Sequence, residues 1–144
     1  DRFSYIQRLT TRWSDNDVYG HVNNVIYYAW FDSAVNRMLI ERRLAPARVD
    51  DPAFADMPIG LVVATQCQYF ESASYPGAIE IGLRVESLGA TSVTYRLGVF
   101  TPEGDSSLAA ARYTHVYVDR ATRRPVSLTD AHRQVFESLR SERQ

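Results

Sequence analysis

The sequence predicts an α+β fold, with a five-stranded antiparallel sheet wrapped around one long central helix and a short helix at the C-terminus. Three observations carry this. One early segment repeats its apolar residues at helical intervals, and four later segments alternate apolar and polar residues. The links between those four are short enough to join antiparallel neighbours. The chain has 144 residues, a length expected to form a single domain over 1–144 and to bury about 68–70% of its unfolded surface without metals or disulfides.

Taken in order, residues 3 to 13 mix Phe3, Tyr5, Ile6, Leu9 and Trp13 with polar neighbours and predict a first strand. A polar, turn-forming segment follows from Ser14 to His21. From Asn24 to about Arg43 the period changes. Tyr27, Phe31, Ala34 and Met38 share one face, and Tyr28, Trp30, Val35 and Leu39 widen it, so this helix is expected to be largely wrapped. Asn23 or Asn24 suits its start, and Arg42 and Arg43 suit the negative end of its dipole.

Pro46, Pro52 and Pro58 mark residues 45 to 58 as irregular. Strands are predicted over Gly60–Ser72, around Ile79–Glu86, around Val93–Val99 and over Leu108–Asp119. Their links are Tyr75-Pro76-Gly77, Leu88-Gly89-Ala90 and Thr101-Pro102-Glu103-Gly104-Asp105. An amphipathic helix is predicted over Thr129–Arg140, capped by Ser127 or Thr129. Clean alternation implies that one sheet face takes the helix while the other is solvated or meets another subunit.

Composition narrows the function classes. Sixteen basic and 17 acidic side chains give a net charge of −1, which lacks the basic footprint of a nucleic-acid binder. Arg120, Arg123 and Arg124 read as a solvated surface. No apolar run approaches the ~18 residues of a membrane span, and the first residues show no secretory core. The single cysteine, Cys67, has no internal disulfide partner and lies in an apolar strand without an adjacent histidine, which reads as a buried thiol. The expected location is the cytoplasm. His115 and His132 lack partners at ligand spacing, so no metal site is expected, and no phosphate-binding glycine loop occurs.

The chemistry is concentrated in Arg12-Trp13-Ser14-Asp15-Asn16-Asp17-Val18-Tyr19-Gly20-His21-Val22-Asn23-Asn24, just before the long helix. Gly20 permits a tight backbone path. The chain then reaches a helix N-terminus, where free N–H groups and the positive dipole end favour an oxyanion. A carboxylate beside such donors has the parts of an acyl-transfer site. The same Asp15 and Asp17 also suit a purely structural turn, and the residues alone leave both open.

This segment resembles the signature of the hotdog-fold acyl-CoA thioesterases of the 4-hydroxybenzoyl-CoA thioesterase-like superfamily. Their Asp-x-Asp-x-x-Gly motif, often continued as Gly-His-Val-Asn-Asn and a helical Tyr, stands here as Asp15-Asn16-Asp17-Val18-Tyr19-Gly20-His21-Val22-Asn23-Asn24 and Tyr27. The match is specific over about 16 residues, and the order of elements agrees along nearly the whole chain. The resemblance implies a single hotdog domain that hydrolyses an acyl-CoA to a free acid and CoA. It makes Asp17 the catalytic carboxylate, either attacking the thioester carbonyl or activating water. It makes the backbone N–H of Asn24, or of its neighbour, the donor that polarises the carbonyl.

His21 is then a candidate for proton transfer or for orienting Asp17. Gly20, Asn23, Tyr27, Tyr28 and Phe31 are candidate substrate contacts, and Asp15 is read as holding the turn. Arg84, Arg96 and Arg112 are candidates for contacting CoA only because they are basic and strand-borne. No cofactor is implied beyond the CoA of the substrate. The resemblance also implies a homodimer, or a homotetramer built as a dimer of dimers, with the site across a subunit interface. The rivals are a non-catalytic acyl-CoA or acyl-carrier binding module, a hotdog hydratase or dehydratase, and a plain oligomerisation domain. Central-helix acids Asp32 and Glu41 without a histidine weaken the hydratase.

Overall fold

The computed structural model describes residues 3–103 and 106–140. Its elements are β1 (Tyr5–Thr10), α1 (Asn24–Glu41), β2 (Ile59–Tyr69), β3 (Ala78–Leu88), β4 (Ser92–Phe100), β5 (Ser107–Val118) and α2 (Asp130–Ser138). The five strands form one antiparallel sheet in the order β1-β3-β4-β5-β2. The α+β class, the five strands and the short C-terminal helix follow the sequence pattern, and Thr129 caps α2 by accepting the N–H of His132.

Alternation sorts the sheet into two faces. One transverse row runs Tyr5, Leu83, Leu97, Ala111, Cys67 and another Gln7, Ile81, Val99, Ala109, Tyr69. These rows meet the buried stripe of α1, in which Phe31, Ala34, Val35 and Met38 are fully buried. Full burial of each large side chain contributes about 1.5–3 kcal/mol. Gln7 is buried on this face and donates to the carbonyl of Ala34 at 3.0 Å, which fixes the helix against β1. The intervening row Arg84, Arg96, Arg112 and Gln66 points to the other face.

Several expectations need correction. The sheet covers one face of α1 rather than surrounding it, since Val25, Ala29, Asp32, Ser33, Asn36 and Arg37 remain exposed. The helix ends at Glu41 because Arg43 turns into the left-handed region at φ 61°. β1 stops at Thr10, and Trp13–Asp15 forms a 3-10 turn instead of extending it. Another such turn, Pro52–Phe54, occupies the proline-rich segment. Cys67 is only half-buried, although burial still pushes its thiol pKa up, which disfavours a thiolate. Gly104 and Asp105 of the third link lie outside the described residues.

The largest correction concerns the first link. β2 pairs with β5 and not with β3, so Phe70–Gly77 carries the chain from one edge of the sheet toward the other. The segment is pinned on the way. Val22 donates its N–H to the carbonyl of Ala73 at 2.8 Å, Thr11 donates its N–H to Gly77 at 2.9 Å, and the Thr11 hydroxyl bonds the carbonyl of Ser74 at 3.1 Å. The crossing strap is thereby tied to the loop that precedes α1.

Candidate active site

The loop before α1 is built from its two aspartates outward. The carboxylate of Asp15 is almost wholly buried and accepts the backbone N–H of Arg12 at 2.7 Å and its guanidinium at 2.8 and 3.1 Å. Its carbonyl accepts the N–H of Asn23 at 2.9 Å. Asp15 therefore joins the entry of the loop to its exit, and its carboxylate is engaged in structure.

Between those points the chain makes a small hairpin. Asn16 bridges Val22, Asp17 donates its N–H to His21 at 2.8 Å, and Gly20 donates to the carbonyl of Asp17 at 3.1 Å. Gly20 sits at φ +85°, a conformation that other residues rarely hold. The hairpin rests on the crossing strap: Tyr75 donates its N–H to the side chain of Asn16, and Ser74 donates its hydroxyl to the carbonyl of Gly20.

Asp17 is half-buried in this hairpin. Its Oδ1 accepts the N–H of Tyr19 at 2.8 Å and of His21 at 3.4 Å. Its Oδ2 takes no hydrogen bond among the described residues, so one oxygen anchors the side chain and the other is free to act. His21 is exposed, and its backbone rather than its ring meets Asp17.

The helix start supplies the second component. Asn23 is the N-cap, and its side chain accepts the N–H of Val25 at 3.0 Å, while its carbonyl accepts the N–H of Ile26. The N–H of Asn24 is left without a partner among the described residues, at the positive end of an 18-residue helix. Of Asn24 and its neighbour, Asn24 is the one with a donor to offer.

Asn24 lines a depression of about 160 Å³ with Val22, Tyr27, Tyr69 and the strap residues Phe70–Ser72. Tyr69 donates its hydroxyl to the carbonyl of Asn24 at 3.3 Å, and its ring lies edge-on to Tyr27 at 5.2 Å. Burial raises the pKa of both hydroxyls, keeping them neutral. Asp17 and His21 stand on the hairpin outside the lining of this depression. Tyr28 and Phe31 are not in it either: both pack against Tyr113, at 6.1 and 5.8 Å between ring centroids, and Phe31 is fully buried.

The acids of α1 are occupied elsewhere. Glu41 accepts the Tyr5 hydroxyl at 2.6 Å and the Arg37 guanidinium at 2.9 Å, and these bonds hold its carboxyl below the usual range. Asp32 takes the side chain of Asn36. On the outer sheet face Arg112 is engaged by Glu86 at 2.9 Å and by Gln66, and Arg96 also reaches Glu86. Among the described residues no cluster of three potential metal ligands occurs, and no helix is long and apolar enough to cross a membrane.

Comparison with known proteins now decides the family. Residues 11–136 match the family model of the thioesterase-like superfamily. The chain belongs to that superfamily. It is 45% identical to the PA5185 protein of Pseudomonas aeruginosa, with a TM-score of 0.86 over 99% of this chain and 96% of that one. Slr0204 of Synechocystis, a 1,4-dihydroxy-2-naphthoyl-CoA thioesterase, shares the fold at 16% identity, with a TM-score of 0.82 over 94% of this chain and 96% of that one. The YsmA protein of Bacillus subtilis is 23% identical over 93% of this chain and 86% of its own length. The matched span of the superfamily model takes in the hairpin, α1 and all the strands after it.

His115 was legible in the sequence only as a strand histidine. The structure places it on the inner face, where it lines a second cavity and meets no hydrogen-bonding partner among the described residues. The one signal available was its place in the alternation Ala111, Tyr113, His115, Tyr117, all inward.

Proposed function

We propose that this protein is an acyl-CoA thioesterase that works as a homodimer, with Asp17 as its catalytic carboxylate and the N–H of Asn24 as the donor that polarises the thioester carbonyl. The observation that carries the reading is a carboxylate with one free oxygen on the hairpin, followed seven residues later by an unpaired amide at the helix start. A thioester needs little more. Either Asp17 takes a proton from water, whose oxygen adds to the carbonyl, or its carboxylate adds directly to give an anhydride that water then opens. In both routes negative charge gathers on the carbonyl oxygen at the Asn24 N–H, and the C–S bond breaks to release CoA thiolate, which is protonated by solvent. No cofactor is required beyond the CoA of the substrate. Gly20 and Asn23 shape and cap the loop, and His21 presents its amide to Asp17.

The dimer is argued from β2. This strand is a sheet edge with no charged residue along its 11 positions. Leu61, Val62, Val63 and Tyr69 are exposed on both of its faces. Edges that stay in water are normally guarded by charge or proline, and exposed apolar patches mark interfaces. Pairing with β2 of a second copy, antiparallel about a two-fold axis, satisfies its free backbone groups. A homotetramer would join two such dimers.

The test is thiol release across a panel of acyl-CoAs, with wild type beside Asp17→Asn. Turnover that disappears in the variant supports the reading. If every thioester stays intact while acyl-CoA still binds, the protein is a binding module instead.

A further inference from the structure

We propose that Glu71, on the crossing strap, sets the charge class of the substrate: it favours neutral or amine-bearing acyl groups and turns away those carrying a free carboxylate. This rests on the thioesterase reading above and adds the substrate class. The depression at the head of α1 is lined by Val22, Asn24, Tyr27 and Tyr69 together with the strap residues Phe70–Ser72. Of these, only Glu71 carries a charge at neutral pH, since burial keeps the hydroxyls of Tyr27 and Tyr69 protonated.

Glu71 is exposed, and its carboxylate enters no hydrogen bond or ion pair among the described residues, so no protein cation neutralises it. Its backbone is nevertheless fixed. Phe70 and Glu71 donate their N–H groups to the carbonyl of Leu108 at 2.8 and 3.3 Å, and Ala73 accepts the N–H of Val22. The charge is thereby held beside the depression. The head of α1 on its own would draw in an anion. Glu71 sets a negative charge against that pull, and the aromatic lining adds surfaces that attract a cation.

A thioester whose carbonyl oxygen sits on the Asn24 N–H holds the first atoms of its acyl group in this depression. In a space of about 160 Å³ any charge on those atoms lies within a Debye length of Glu71, about 10 Å at 0.1 M salt. The phosphates of CoA lie at the far end of the pantetheine arm and are common to every acyl-CoA, so they do not discriminate. Because Glu71 is exposed, the repulsion is several-fold in affinity rather than orders of magnitude.

Three non-hydrolysable CoA ketones, in which a methylene separates the sulfur from the carbonyl, test the charge without any turnover. They share one acyl chain and end in a primary amide, a carboxylate or an ammonium group. Each is titrated calorimetrically into the full chain at low and at high salt. At low salt the amide is expected to bind about fivefold more tightly than the carboxylate, with the ammonium at least equal to the amide. Added salt should narrow the gap. Glu71→Gln should erase the preference, and Glu71→Asp, which keeps the charge, should retain it. Equal binding of amide and carboxylate by wild type, no binding of any ketone, or a preference unchanged in Glu71→Gln overturns the proposal. Intact thioesters beside a charge preference that depends on Glu71 would overturn the thioesterase reading alone.

Discussion

The side chain of Asn23 caps the N–H of Val25 at 3.0 Å and so leaves the adjacent N–H of Asn24 as the unpaired donor at the head of α1. A cap ordinarily serves stability. Here it also singles out which amide stays unpaired at the helix start, just beyond the hairpin that holds Asp17.

Asp17→Asn should separate chemistry from folding. The amide oxygen of the variant can still accept the N–H of Tyr19, so the hairpin and the thermal midpoint should persist. Turnover should fall by about 10²–10⁴-fold, the range for loss of a general base. Single turnover of wild type in oxygen-18 water tests the anhydride route: label appearing in the Asp17 carboxylate marks an anhydride opened at the Asp17 carbonyl.

Asp15→Ala should act in the opposite sense, through stability. It removes the acceptor of the Arg12 N–H and guanidinium, while the backbone bond from Asn23 to the carbonyl of residue 15 remains. Arg12 itself is largely exposed, so the ion pair adds little, and the expected loss is about 1–3 kcal/mol from the orphaned amide. Urea unfolding measures it, and Asp15→Asn should recover part of the loss.

Stability should fall on mild acidification. Burial lowers the folded-state pKa of both His115 and His132 from the ordinary value of 6.5. Below 6.5 the unfolded chain binds protons that the folded chain resists, so their contribution is complete above that pH and lost as pH drops toward the lowered values. Urea midpoints measured across this window should decline for wild type and decline less for His115→Phe. An equal slope in the variant would remove His115 as a cause.

Val63→Lys places a charge on the uncharged edge strand, where Val63 is 59% exposed. Light scattering should show the mass halving from dimer to monomer, with thioester turnover lost and the circular dichroism spectrum retained. An unchanged mass would place the subunit contact away from β2.

Much of this molecule is local in origin and therefore legible in the chain. The 3.6-residue stripe of Tyr27, Phe31, Ala34 and Met38 reports a helix because one face must be buried, and alternation from Ile79 to Val85 reports a half-buried strand for the same reason. The hairpin of Asn16 to Val22 is likewise short-range: its bonds close over a few residues, and Gly20 is required by its φ.

What the chain alone does not carry is set by contacts between distant segments. Which strand becomes an edge depends on strand order, and β2 leaves its sequence neighbour β3 to pair with β5. That choice exposes Val62 and Val63 and stretches Phe70–Gly77 across to brace the hairpin. It also brings Gly60 against His115 and Tyr117, which opens the second cavity. Tyr28 and Phe31, on the helix near the site, turn instead to Tyr113. Sequence by itself determined the elements and the loop that precedes α1, because local geometry and the burial of one face fix both. Tertiary structure decided which amide is free, which edge is open and which histidine is left without a partner, because each depends on what packs beside it.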